Sequence, residues 1–180
     1  PPSVEIVATE LIACGARRLV RVGSSASMNP CISPGDVLVV TGAVRDESTS
    51  DRWTPPAFPA VSHHAAVAAM VQGAVQAGLS DQTYTGLCHS KDSLYGREFG
   101  QGPFADENRT FVQALHAAGV CATEMEASTL FVLASVASAA VVPSVGQGFA
   151  SVPVQAACVL AIYGDVGSDE TRLADQRAIS

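Results

Sequence analysis

An α/β fold, with helices packed on a largely parallel or mixed sheet, is the class this sequence predicts, and three observations predict it. Apolar and β-branched runs at residues 18–23, 36–44, 83–90 and 154–163 alternate with stretches whose apolar residues recur at helical spacing. Turn and stop signals, among them Gly15, Pro34-Gly35 and Gly78, separate the two kinds of segment. The run at 154–163 is almost uninterrupted in apolar character, as strands covered on both faces are. With 180 residues and 48% hydrophobic content the chain can bury one sizeable core, so a single domain over 1–180 is expected.

Taken in order, Ser3 is placed to cap a first helix whose inward stripe is Val4, Val7, Ala8, Leu11 and Ile12. Gly15 stops that helix, and Arg17 and Arg18 lie near its negative end. The strand at 18–23 ends in Gly-Ser-Ser, and the strand at 36–44 opens after the Pro34-Gly35 turn. Residues 46–59 carry three prolines, Trp53 and scattered charge, and read as a loop. Ser62 is placed to cap a second helix that runs through 77, and Asp106 a third that runs to 118. Between the strand at 83–90 and that third helix, residues 90–108 are rich in glycine and mixed polar residues, as a binding loop on a rigid scaffold is. A short strand at 121–124, a helix at 127–136, the strand at 154–163 and a last helix at 170–179 complete the alternation.

One segment breaks it. Residues 137–153 are small and apolar, and Pro143, Gly146, Gly148 and Pro153 interrupt regular structure. Connections in α/β units usually run to about 2–6 residues, so this stretch is expected to be an insertion.

Charge and cysteine content exclude several function classes. A net charge of −7 with only ten Lys plus Arg argues against a nucleic-acid groove or a polybasic membrane patch. No apolar run is long enough to span a bilayer, and no secretory leader is recognisable. Cys14, Cys31, Cys88, Cys121 and Cys158 are odd in number, form no C-x-x-C pair and sit mostly in apolar runs. They read as reduced core thiols of a cytoplasmic protein. His63 and His64 are adjacent while His89 and His116 are isolated, so no metal-ligand spacing is present and no metal is expected.

The most informative stretch is Ala122-Thr123-Glu124-Met125-Glu126-Ala127, which sets two carboxylates around a methionine just before an apolar helix. The charge of Glu126 is favoured near that helix N-terminus, so an acidic helix start is one reading. The motif does not stand alone. Upstream come Arg18-Leu19-Val20-Arg21-Val22-Gly23-Ser24-Ser25, Ser33-Pro34-Gly35-Asp36, Phe58-Pro59-Ala60-Val61 and Lys91-Asp92-Ser93-Leu94-Tyr95-Gly96. In this order and spacing the motifs resemble the nucleoside phosphorylase family, and within it the uridine phosphorylases. The resemblance implies a three-layer α/β/α sandwich with a mixed central sheet. It also implies inorganic phosphate as co-substrate with no other cofactor, and a homo-oligomer, dimer or hexamer, whose sites a neighbouring subunit completes.

Phosphorolysis of a nucleoside needs a bound phosphate, a held ribose and a base that is made easier to expel. Arg21 with Gly23 and Ser24 at a strand end supplies guanidinium, backbone N–H and hydroxyl donors suited to an anion. Arg21 sits inside an apolar run, so it needs either an anion or one of the seventeen acids as a partner, and both readings are open. In the resembling family the matching arginine and hydroxyl residue bind phosphate, although the family usually has Gly where this chain has Ala26. The resemblance makes Glu126 the glutamate that holds the ribose hydroxyls, with Ser24 and Met125 at the sugar and Glu124 as a supporting neighbour. A carboxylate there favours an oxocarbenium-like transition state.

The base falls to the loop after residue 90. Uracil presents two carbonyls and an N–H, which a Gln amide and an Arg fork can match while a ring stacks on its face. The candidates are Leu94, Tyr95, Arg97 and Gln101, with Leu94 standing where the family has an aromatic residue. Asp165 pulls the other way, since purine-specific relatives carry a catalytic aspartate at the end of the last strand. A purine nucleoside phosphorylase, a nucleoside hydrolase and a non-catalytic nucleoside-binding remnant are therefore the alternatives. Relative to the family pattern, the preceding strands with a glycine-rich phosphate loop and the arginine lent by a neighbouring subunit are missing, and the chain is expected to be a fragment truncated at both ends.

Overall fold

The computed structural model describes residues 1–139 and 153–166. Its element order is α1 (Pro2–Ala13), β1 (Arg18–Ser27), β2 (Val37–Asp46), β3 (Ala60–Val61), α2 (His64–Gln76), β4 (Thr83–Lys91), α3 (Ala105–Ala117), β5 (Ala122–Glu124), α4 (Ala127–Ser138) and β6 (Gln155–Asp165). The α/β class and the mixed sheet predicted from the apolar runs are both present. Most of the expected insertion and the whole of the expected helix at 170–179 lie outside the described residues.

The sheet runs β3-β2-β4-β5-β1-β6, and β6 also pairs with β2, so five strands curl round until they meet. β1 runs parallel to β6 and antiparallel to β5, while β2 and β5 both run parallel to β4. Closure comes where Val37–Val39 meets β6 antiparallel, just after the Pro34-Gly35 turn. Accumulated strand twist is what allows an edge to return upon its own sheet in this way.

Helix α4 carries the core. Residues 127–134 of it are all buried, because the helix is apolar around its whole circumference and is covered by the sheet on one side and by α1 on another. Phe131 is its largest fully buried side chain. Phe131→Ala is expected to cost about 3–5 kcal/mol, read as a lower urea midpoint at unchanged slope. At the far end of the helix, the Ser138 hydroxyl accepts from the Val154 N–H at 2.8 Å, which puts the start of β6 beside the end of α4.

Several local expectations are corrected. Ser3 lies inside α1, which starts on Pro2, and the prolines rather than a side-chain cap open that helix. Val7 and Leu11 are exposed at 55% and 47%, and only Ala8 of the expected stripe is fully buried. Ser62 caps nothing, since its hydroxyl donates to the Ala156 carbonyl at 2.9 Å, and Asp106 sits one residue inside α3. Of the five unpaired cysteines only Cys88 and Cys158 are core thiols, Cys14 and Cys31 being exposed. Among the described residues no helix is long and apolar enough to cross a membrane, and no group of His, Cys, Asp and Glu is placed to hold a metal ion.

Candidate active site

The site is built where β5 passes into α4, with only Met125 and Glu126 between the two elements. Glu124 is buried, and its carboxylate accepts from the Glu126 N–H at 2.8 Å and the Ala127 N–H at 2.9 Å. These are among the N–H groups a helix start leaves unmatched. Ser90 also donates to Glu124. The helix start is therefore met by Glu124 and not, as the sequence suggested, by Glu126, which holds the N-cap position without a side-chain capping bond. That division of labour leaves the Glu126 carboxylate free for other work, and it stays half-buried rather than solvated.

Arg21 is brought to the same turn from β1, whose neighbours are β5 on one side and β6 on the other. Its Nη2 pairs with Glu126, and its Nε lies 3.4 Å from Glu124. Of the two readings left open for this arginine the structure supplies the acidic partner, and its partners are the two carboxylates of the motif itself. Burial disfavours the charged guanidinium, but Glu124 and Glu126 outweigh it and hold Arg21 more firmly protonated. Cys158, opposite Arg21 in the β1–β6 register, stays a thiol: burial, seconded by the Glu124 charge, pushes it up to about 12 against the pull of Arg21.

One donor is left over. Arg21 Nη1 is buried with no hydrogen-bond partner among the described residues, a state that costs about 1–3 kcal/mol. The guanidinium lies over Gly23, where a Cβ would stand 2.6 Å from Cζ. Only glycine permits that approach. An anion or a hydroxyl oxygen reaching that N–H would satisfy it.

The remaining candidates are brought together only in part. Ser24 is exposed and, by strand alternation, faces away from Arg21 and Gly23, whereas Ser25 on their face is buried and donates to the Thr123 carbonyl at 2.8 Å. Met125 is half-buried beside Glu126. Leu94 and Tyr95 are exposed on a single π-helical turn, Leu94–Glu98, of the kind that recurs at functional sites. Gln101 is exposed just beyond it, anchored through its N–H to the Tyr95 carbonyl at 3.0 Å. Arg97 is caged: Asp46 takes it at 2.7 Å, Asn108 at 2.8 Å, and its guanidinium stacks 4.2 Å above the Phe111 ring. It lines a cleft of about 480 Å³ with Asp46, Ser48, Asp92 and Asn108, which neither Arg21 nor Glu126 lines. Asp165 is exposed at the last residue of β6, opposite Ser27 of β1.

Sequence reading missed a set of buried and half-buried ionisable groups behind this loop. Asp46 and His89 meet at 2.8 Å, and Lys91, 2% exposed, pairs with Glu98. Burial raises the Asp46 carboxyl, but hydrogen bonds from His89 and Arg97 outweigh it and hold it below the usual carboxylate range. The available signal was an aspartate at the end of a largely apolar strand.

The family model described as Phosphorylase superfamily matches residues 1–146. A uridine phosphorylase of Thermococcus kodakarensis is 36% identical over 138 residues, which are 75% of this chain and 49% of that protein. One from Treponema pallidum is 38% identical over 136 residues, 75% and 52% of the two chains. A guanosine phosphorylase of Halorubrum lacusprofundi is 31% identical over 133 residues, 74% and 50%. Among solved structures, the P. knowlesi homologue of P. falciparum PNP superposes with a TM-score of 0.69 at 22% identity, covering 88% of this chain and 55% of that one. The chain spans about half the length of the curated relatives it matches. With the strand, turn and helix that hold Arg21, Glu124 and Glu126 all inside the matched residues, the chain belongs to the phosphorylase superfamily.

Proposed function

We propose that this chain carries the phosphate and ribose portion of a nucleoside phosphorylase site, with uridine as the preferred nucleoside. The observation that carries the proposal is the buried, unpartnered Nη1 of Arg21 lying over Gly23 beside the half-buried Glu126 carboxylate. Phosphate satisfies that donor, with the N–H of Gly23 as a further donor. Glu126 accepts from the ribose hydroxyls, Met125 packs on the sugar, and Glu124 keeps Arg21 and the turn in place. A phosphate oxygen then forms the bond to C1′ while the C1′–N1 bond breaks and its electron pair leaves with uracil. The carboxylate stabilises the positive charge that develops on the ribose between the two events. No cofactor beyond inorganic phosphate is needed. Exposed Val7, Leu11, Trp53 and Phe58 support a homo-oligomer in which a neighbouring subunit completes the site, and five unpaired cysteines support a cytoplasmic location.

Release of uracil and ribose 1-phosphate from uridine, dependent on inorganic phosphate and measured on a protein completed to the length of its relatives, tests the reaction; the 180-residue chain by itself is expected to be inactive or nearly so. Release without phosphate would make the protein a hydrolase, and no release from any nucleoside a binding remnant.

A purine substrate is the second reading, supported by the guanosine phosphorylase relative and by Asp165, exposed at the end of β6. The Leu94, Tyr95 and Gln101 loop favours uridine over it. Arg97 reaches a base only by giving up one of its partners. Uridine is therefore expected to be cleaved faster than inosine, Gln101→Ala to lose about 1–3 kcal/mol in kcat/KM for uridine, and Asp165→Asn to leave uridine cleavage unchanged. A strong inosine preference that Asp165→Asn abolishes would overturn the pyrimidine assignment.

A further inference from the structure

We propose that Asp46 and Lys91 are positioning residues that hold the base-facing turn at a set distance from the ribose carboxylate through two crossed ion pairs. The inference rests on the nucleoside reading above. Asp46 and Lys91 are the last residues of β2 and β4 and stand directly opposite each other in the parallel register. Each takes one of two consecutive residues at the end of the π-helical turn: Asp46 binds Arg97, and Lys91 binds Glu98. The strand ends thus present minus beside plus, and the turn presents plus beside minus. Slipping the turn by one residue would set like charges against each other, so the pattern specifies one register and rejects its neighbours.

Stability alone does not account for it. Lys91 and Glu98 are 2% and 6% exposed in their side chains, and buried ion pairs are often replaceable by apolar residues without loss, their best-attested use being to fix register. The pairs are also tied to the catalytic turn. Lys91 Nζ donates to Thr123 Oγ1 at 2.6 Å, and Thr123 Oγ1 lies 3.3 Å from His89 Nδ1, whose other nitrogen meets Asp46. Thr123 immediately precedes Glu124, the residue that fixes Arg21 and the start of α4. Leu94 and Tyr95, bracketed by Lys91 and Glu98, therefore project outward from a segment referenced to the same strand end as the ribose carboxylate. A loose segment would weaken the grip on the nucleoside and leave phosphate untouched.

Three proteins test this: the wild type, Lys91→Met, and Lys91→Met with Glu98→Gln. The single variant strands a buried carboxylate and risks unfolding, whereas the double variant carries neither charge and is expected to melt near the wild type. In the double variant, amide hydrogen exchange across residues 92–99 should quicken about tenfold or more with β1 and β6 unchanged. Its uridine dissociation constant, by calorimetric titration, should rise about tenfold while that of inorganic phosphate stays put. Unchanged exchange in residues 92–99 would overturn the proposal, and so would wild-type uridine affinity in the double variant. If the wild type bound neither uridine nor inosine while exchange quickened as expected, the nucleoside reading would have failed, and base positioning with it, leaving the ion pairs as the anchor of the turn alone.

Discussion

In a protein completed to the length of its relatives, Glu126→Ala is expected to lower kcat/KM for nucleoside phosphorolysis by about 10²-fold or more, roughly 3 kcal/mol of transition-state stabilisation, with little change in melting temperature. The separation of the two effects follows from the geometry. Glu124, not Glu126, accepts the first N–H groups of α4, so removing the outer carboxylate leaves the helix start capped. Arg21 keeps Glu124 as a partner and is not left as an unpaired buried charge. What disappears is the half-buried carboxylate beside the unpartnered guanidinium N–H, the group assigned to the ribose. Initial rates over a range of uridine concentrations, set beside a thermal melt, separate the possibilities. A variant that unfolds, or one that keeps its rate, returns Glu126 to the role of an acidic helix start.

Replacing Arg21 should have an effect at least as large, and it should appear in phosphate. Arg21→Lys keeps a positive charge between the two glutamates but loses the fork, and Nη1 with it. A rate loss of about 10²- to 10³-fold is expected, the scale for removing one positioned donor, together with a raised KM for phosphate. Gly23→Ala is a milder probe of the same point. The new methyl would crowd the guanidinium from below and displace it without altering charge, so phosphate KM should rise there too. An unchanged phosphate KM in both variants would mean that Arg21 serves only to neutralise Glu124 and Glu126, and the anion site would have to be sought elsewhere.

Legibility of the fold followed the strength of the local signal. The long strands were readable because β-branched and apolar runs bounded by turn residues have few other solutions, and β1 and β6 differ from expectation mainly in length. Cap assignments failed at Ser3, Ser62 and Asp106, where Pro2 pre-set the backbone of α1, a strand carbonyl claimed the Ser62 hydroxyl, and α3 began one residue early. The inward stripe of α1 was misjudged because helical spacing marks a face without saying how much of it a neighbour covers.

The sequence by itself determined the residue types of the candidate site and the class of the fold, because an Arg-x-Gly-Ser in an apolar strand run and a Glu-Met-Glu before an apolar helix are local patterns. Only the tertiary structure decided what those residues do to one another. Arg21 and Glu126 lie 105 positions apart, and their meeting depends on β1 being inserted between β5 and β6. The exchange of roles between Glu124 and Glu126 depends on which carboxylate the turn folds back onto its own N–H groups. The crossed pairing of Asp46 and Lys91 with Arg97 and Glu98 depends on the register of two strands and on a turn that returns to their ends. Each is a long-range contact between charges whose partners are interchangeable in sequence and become unique only once burial makes the wrong pairing costly.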